Sequence, residues 1–84
     1  MNYPANIWNQ LKNISADELK KALEKDGWKL DGGKGSVLIY RHSDGRRVSV
    51  HYHPIKTFGP NLLKALFDDI EWTEEDLKRL KLIK

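Results

Sequence analysis

Eighty-four residues leave room for one thin core, which three Trp, three Tyr and two Phe must largely supply, and exclude a second module of ordinary size. The absence of Cys excludes disulfides and thiolate metal sites, and no apolar run approaches the ~20 residues of a bilayer span. A net charge of +3 is modest, but residues 34 to 56 set Lys34, Arg41, Arg46, Arg47 and Lys56 against Asp44 alone, a local +4 that points to a polyanion such as nucleic acid.

The first expected element lies at Asn6–Leu11, where Ile7, Trp8 and Leu11 recur at helical spacing. Ser15-Ala16-Asp17-Glu18 then matches a capping box, flanked by Ile14 and Leu19 as a hydrophobic staple. A helix should therefore begin at Ala16, bury Leu19, Ala22 and Leu23, and end at a left-handed Gly27. Trp28-Lys29-Leu30 alternates like a strand, and Asp31-Gly32-Gly33-Lys34-Gly35 reads as a mobile connector. Its glycines could serve a close phosphate approach or an ordinary hairpin loop, since neither a P-loop nor a dinucleotide spacing is present.

Ser36–His42 and Arg46–His53 are rich in Val, Ile and Tyr and flank Ser43-Asp44-Gly45, which predicts one β-hairpin. In its second strand Val48, Val50 and Tyr52 share one face, while Arg47, Ser49, His51 and His53 share the other. Gly59-Pro60 opens the next helix, with Leu62, Leu63, Leu66, Phe67 and Ile70 as its apolar stripe. Thr73 begins a last short helix, capped toward Asp76, with Trp72 and Leu77 as staple and Lys78 to Lys81 at its basic end. The sum is an α+β architecture in which three antiparallel strands carry helices on one face and leave the other open.

His51 and His53 are alternate residues of one strand face, about 6 to 7 Å apart. A general acid and base acting across a phosphodiester would suit that spacing, with Arg47 or Lys56 offsetting charge at phosphorus. Two other readings stand beside it. The histidines are ordinary polar residues of an exposed sheet, or His-x-His is half of a metal site that needs a third ligand such as His42 or Asp44. Lys34, Arg41 and Arg46 extend the cationic surface, whereas Tyr40 and Tyr52 suit core packing. Asp68, Asp69 and Glu71 read as a solvated acidic face.

Several short motifs in order, Leu23-Glu24-Lys25-Asp26-Gly27-Trp28, Lys34-Gly35-Ser36, Ile39-Tyr40-Arg41-His42, Asp44-Gly45-Arg46-Arg47-Val48, and His53 with Lys56 before a leucine-rich helix, resemble the HicA (YcfA-like) toxins over about residues 15 to 80. The resemblance implies one HicA-like domain over residues 1–84 with a double-stranded-RNA-binding-like α-β-β-β-α core and a short helical extension before it. It also implies a metal-independent mRNA endoribonuclease, without cofactor, covered by a HicB-like antitoxin, and the amino terminus Met1-Asn2-Tyr3-Pro4, without the charged and apolar regions of a signal peptide, predicts a cytoplasmic protein. The family's catalytic histidine follows the Lys-Gly-Ser motif, where this chain has Val37, which transfers no proton. Members commonly carry proline where this chain has His51. The expectation is an RNA-binding toxin that either cleaves with His51 and His53 or binds RNA or a partner without cutting.

Overall fold

The computed structural model describes residues 3–52 and 58–84. In chain order it contains α1 (Ala5–Leu11), α2 (Ala16–Lys25), β1 (Lys29–Lys34), β2 (Val37–Arg41), β3 (Arg47–His51), α3 (Pro60–Ile70) and α4 (Glu74–Arg79). This is the expected α-β-β-β-α order with a short helix at each end.

Local chemistry sets the helix starts. The Glu18 amide donates to Ser15 Oγ at 3.1 Å while the Ser15 amide donates to Glu18 Oε1 at 3.2 Å, so two otherwise unpaired amides are satisfied reciprocally. Thr73 and Asp76 do the same for α4 at 3.0 and 3.2 Å. Gly27 closes α2 at φ +89°, a conformation that disfavours any residue with a Cβ. In α3, Leu63, Leu66, Phe67 and Ile70 are buried. Leu62, expected in that stripe, is 43% exposed. A buried set spaced three and four residues apart leaves the position before Leu63 about a quarter-turn off the core.

The three strands form one antiparallel sheet in sequence order. The connector expected over residues 31–35 does not form. Asp31 to Lys34 are not a connector but the outer part of β1, and only Gly35 and Ser36 make the turn. Backbone pairing needs no side chains, so a glycine-rich segment can complete a strand beside a partner as regular as β2. Asp31 is the extra residue of a bulge between Leu30 and Gly32. Gly33 has φ +142°, and a Cβ there would lie 2.1 Å from the Val37 carbonyl oxygen. The close approach of β1 to β2 thus depends on glycine.

The inner face of the sheet presents Tyr40, Val48 and Val50, all buried, with Leu38 packed against them. Burial of side chains this size stabilises by roughly 1.5–3 kcal/mol each. Helix α1 is fastened by aromatic contacts: the Tyr3 ring lies 5.0 Å from Trp8 and 6.0 Å from Phe67, and Phe67 lies 5.8 Å from Trp72. The Tyr3 hydroxyl also donates to the Trp72 carbonyl, and burial first, with Asp76 and Glu74 next, pushes its pKa up to about 12.

Asp26, the last residue of the α2 cap, ties distant elements together. Its carboxylate accepts from Trp28 Nε1 at 3.1 Å, from Trp72 Nε1 at 2.7 Å and from the Arg79 guanidinium. Burial alone would raise this carboxyl, but the hydrogen bonds from Trp72, Arg79 and Trp28 outweigh it and hold the group below the usual carboxylate range.

Candidate nucleic-acid interface

Among the described residues no helix covers the outer face of the sheet, and strand parity fixes which side chains it presents. In β3 the alternation is strict, with Val48 and Val50 buried and Arg47, Ser49 and His51 exposed. The register extends that face across the sheet in three rows. Lys34 pairs with Val37 and Val37 with His51; Gly32 pairs with Ile39 and Ile39 with Ser49; Lys29 pairs with Arg41 and Arg41 with Arg47. The bulge at Asp31 shifts β1 by one residue, which brings Lys34 onto the same face as Lys29.

The first row is the most informative. Val37, where the resemblance places the family's histidine, lies directly opposite His51. Directly opposed residues of an antiparallel pair have Cβ atoms about 4.5–5.5 Å apart. An imidazole carried by β3 therefore reaches the space above residue 37, and Lys34 flanks the same space from β1. Val37 is half-buried while His51 and Lys34 are exposed, so an apolar floor lies between an imidazole and an ammonium. The third row is cationic, with Arg41 Nε bonded to Asp31 at 2.8 Å.

Not every expected site residue is on this face. Arg46 has the parity of Val48 and turns inward. It bonds Asp44 at 2.8 Å, donates to the Ile70 carbonyl at the end of α3, and stacks 5.0 Å from the centre of the Trp28 ring, leaving its side chain 20% exposed. A guanidinium at a helix carboxyl end complements the dipole there. His42 joins the same inner cluster, edge-on to Trp28 at 5.4 Å, with Nδ1 3.2 Å from the Asp44 carboxylate. The hydrogen bond from Arg46 beside Asp44 holds that carboxyl down to about 2. Tyr40 and Tyr52 also face inward: Tyr40 bonds Glu24, and the Tyr52 hydroxyl donates to Asp17, each at 3.2 Å. His53 and Lys56 lie outside the described residues.

The structure thus brings together Lys34, Arg41, Arg47 and His51, and separates Arg46 from them. It adds Lys29, for which the sequence carries no signal because the bulge that aligns it with Lys34 leaves no clear residue pattern. The pairing of Val37 with His51 did have a signal. Counting outward from the Ser43-Asp44-Gly45 turn gives that register directly. Among the described residues no group of three or more His, Asp or Glu side chains could hold a metal ion. No described helix is long and apolar enough to cross a membrane.

The family model for the HicA toxin of bacterial toxin-antitoxin systems matches residues 16–72. That span begins at α2 and ends at Trp72, taking in the whole sheet and α3. No curated protein matches the chain.

Proposed function

The chain belongs to the HicA toxin family, and we propose that it binds RNA on the open sheet face and cleaves it there, with His51 acting above Val37. Membership makes it the toxin of a toxin-antitoxin pair with an antitoxin partner. The observation that carries the proposal is the register, in which Val37 and His51 are direct cross-strand neighbours. An imidazole at position 51 of β3 can address the same phosphate as one at position 37 of β2.

The chemistry follows from that position. Neutral His51 accepts the proton of a ribose 2′-hydroxyl, whose oxygen attacks the adjacent phosphorus. The bond from phosphorus to the 5′-oxygen breaks, giving a 2′,3′-cyclic phosphate and a 5′-hydroxyl. The leaving oxygen takes a proton from His53, a role assigned from the sequence alone. Lys34 offsets the charge that builds on the phosphate oxygens, and Lys56 is a second cation assigned, like His53, from the sequence alone. Arg41 and Arg47 hold the strand farther along the face. The RNA target on this reading is mRNA, and a HicB-like antitoxin would cover the face.

A second reading rests on Val37 itself. A side chain with no transferable proton at the family's catalytic position suits a domain that binds RNA or its partner without cutting. End-labelled RNA incubated with the protein in chelator separates the two. The parent should cut, and His51→Ala should cut about 100-fold more slowly, the scale of a lost general base. Adding Val37→His to His51→Ala should restore part of the rate, because it returns an imidazole to the same space from the other strand. If His51→Ala stays folded and cuts at the parent rate, the assignment is wrong. If the parent binds RNA but never cuts, the binding-module reading replaces it.

A further inference from the structure

The three rows of the open face differ in charge. The first holds His51 and Lys34 on either side of Val37, and the third holds Lys29, Arg41 and Arg47, with Asp31 bonded to Arg41 at 2.8 Å. The row between them contains Gly32, Ile39 and Ser49 and no cation. Gly32 has no side chain, so the face dips there beside the half-buried Ile39.

Strand geometry turns these rows into a spacing. Alternate residues of a strand are ~6–7 Å apart, so successive rows are separated by about that distance and the two cationic rows by about 13 Å. Consecutive phosphates of an extended RNA strand are separated by nearly the same length as one row step. We propose, resting on the RNA reading above, that the face grips a single RNA strand by two phosphates that flank a third, and that the middle phosphate has no cationic partner among the described residues of its own row. One outer phosphate sits above Val37 between His51 and Lys34. The other sits over Arg47 and Lys29, and the nucleotide between them lies across Ile39 and Gly32.

An extended single strand fits this arrangement better than a duplex. The rows are only about 10 Å wide, two interstrand spacings, and an A-form duplex presents its phosphates on the two sides of a wide, shallow groove. Attack by a 2′-hydroxyl also needs a nucleotide free to leave stacked geometry, which a paired strand restrains.

The test uses tetranucleotides, which have three internucleotide phosphates, made with 2′-O-methyl riboses so that no cleavage occurs. Each phosphate is replaced in turn by a neutral methylphosphonate, and affinity is measured at low salt by fluorescence anisotropy. Neutralising either outer phosphate should weaken binding roughly tenfold, the scale of one lost charge-assisted hydrogen bond. Neutralising the middle phosphate should change it less than twofold. Arg47→Ala should reduce the sensitivity at one outer position, where Lys29 remains, and preserve it in full at the other. Equal losses at all three positions, or the largest loss at the middle, would overturn the spacing while leaving RNA binding intact. If neither the tetranucleotides nor longer single-stranded RNA bind at low salt, the RNA reading falls and the spacing falls with it.

Discussion

Arg46 and Arg47 are adjacent in the chain and have opposite fates. Arg46 turns inward to Asp44, the Ile70 carbonyl and the Trp28 ring, whereas Arg47 stands exposed on the open face in line with Arg41. One step of strand parity separates a cation that helps hold the fold from a cation available to a ligand. The same division runs through the molecule: the inner face is fixed by hydrogen bonds between distant elements, and the outer face gathers side chains through strand register, with the Arg41–Asp31 ion pair formed within the sheet itself. Charge counted along the sequence, which places both arginines in one basic segment, misses this difference.

The comparison predicts that inner-face substitutions cost stability and outer-face substitutions cost ligand affinity or rate. The largest stability effect should come from Asp26→Ala. It would leave the buried Trp28 and Trp72 indole N–H groups without their acceptor and release Arg79. Each unsatisfied buried donor costs about 1–3 kcal/mol, so a loss near 3 kcal/mol is expected, read as a fall in Tm of more than 10 °C at this chain length. A fall of only a degree or two would mean that the carboxylate does not join these elements.

Arg46→Ala and Arg47→Ala sharpen the contrast within one dipeptide. Arg46→Ala should cost about 1–2 kcal/mol, from its bond to the Ile70 carbonyl and its packing on Trp28, and leave the RNA affinity of the folded protein unchanged. Arg47→Ala should leave stability within about 0.5 kcal/mol and weaken RNA binding several-fold. Equal effects of the two on both measurements would erase the distinction between the faces. Acid should reach the same inner cluster more gently. Because the folded pKa of Asp44 is held down to about 2, its contribution is complete above the unfolded carboxylate range near 4. It fades as pH falls from there through about 2. In Arg46→Ala, which lacks the hydrogen bond responsible, acid unfolding should lose this component.

The parts of the fold legible in the sequence were those decided by short-range chemistry. Ser15 with Glu18, Thr73 with Asp76, and the Ser43-Asp44-Gly45 turn each act within a few residues, and each stands where the sequence placed it. The family resemblance was legible for a related reason, being carried by short motifs in order. Long-range partnerships were not. Arg46 finds the carbonyl of a residue 24 positions away, and Asp26 finds Trp72 and Arg79 at 46 and 53 positions. No local pattern encodes such a meeting. The glycines of β1 misled for another reason: the residues that loosen a loop also allow a strand to approach its neighbour closely, and only the neighbour decides which occurs. Of the candidate site, the exposed parity of Arg47 and His51 was visible in β3, while the alignment of Lys29 and Lys34 with them required the bulge at Asp31.

RNA binding by the open sheet face underlies every ligand effect proposed above. It is tested most directly by following the backbone amide resonances of the protein as a short single-stranded RNA is added at low salt. The account predicts that the perturbed amides cluster in the three rows, at Lys29, Gly32, Lys34, Ile39, Arg47, Ser49 and His51, and that those of α2 and α4 stay nearly unchanged. Perturbations centred on α2 and α4, or a spectrum unaltered by RNA, would contradict it.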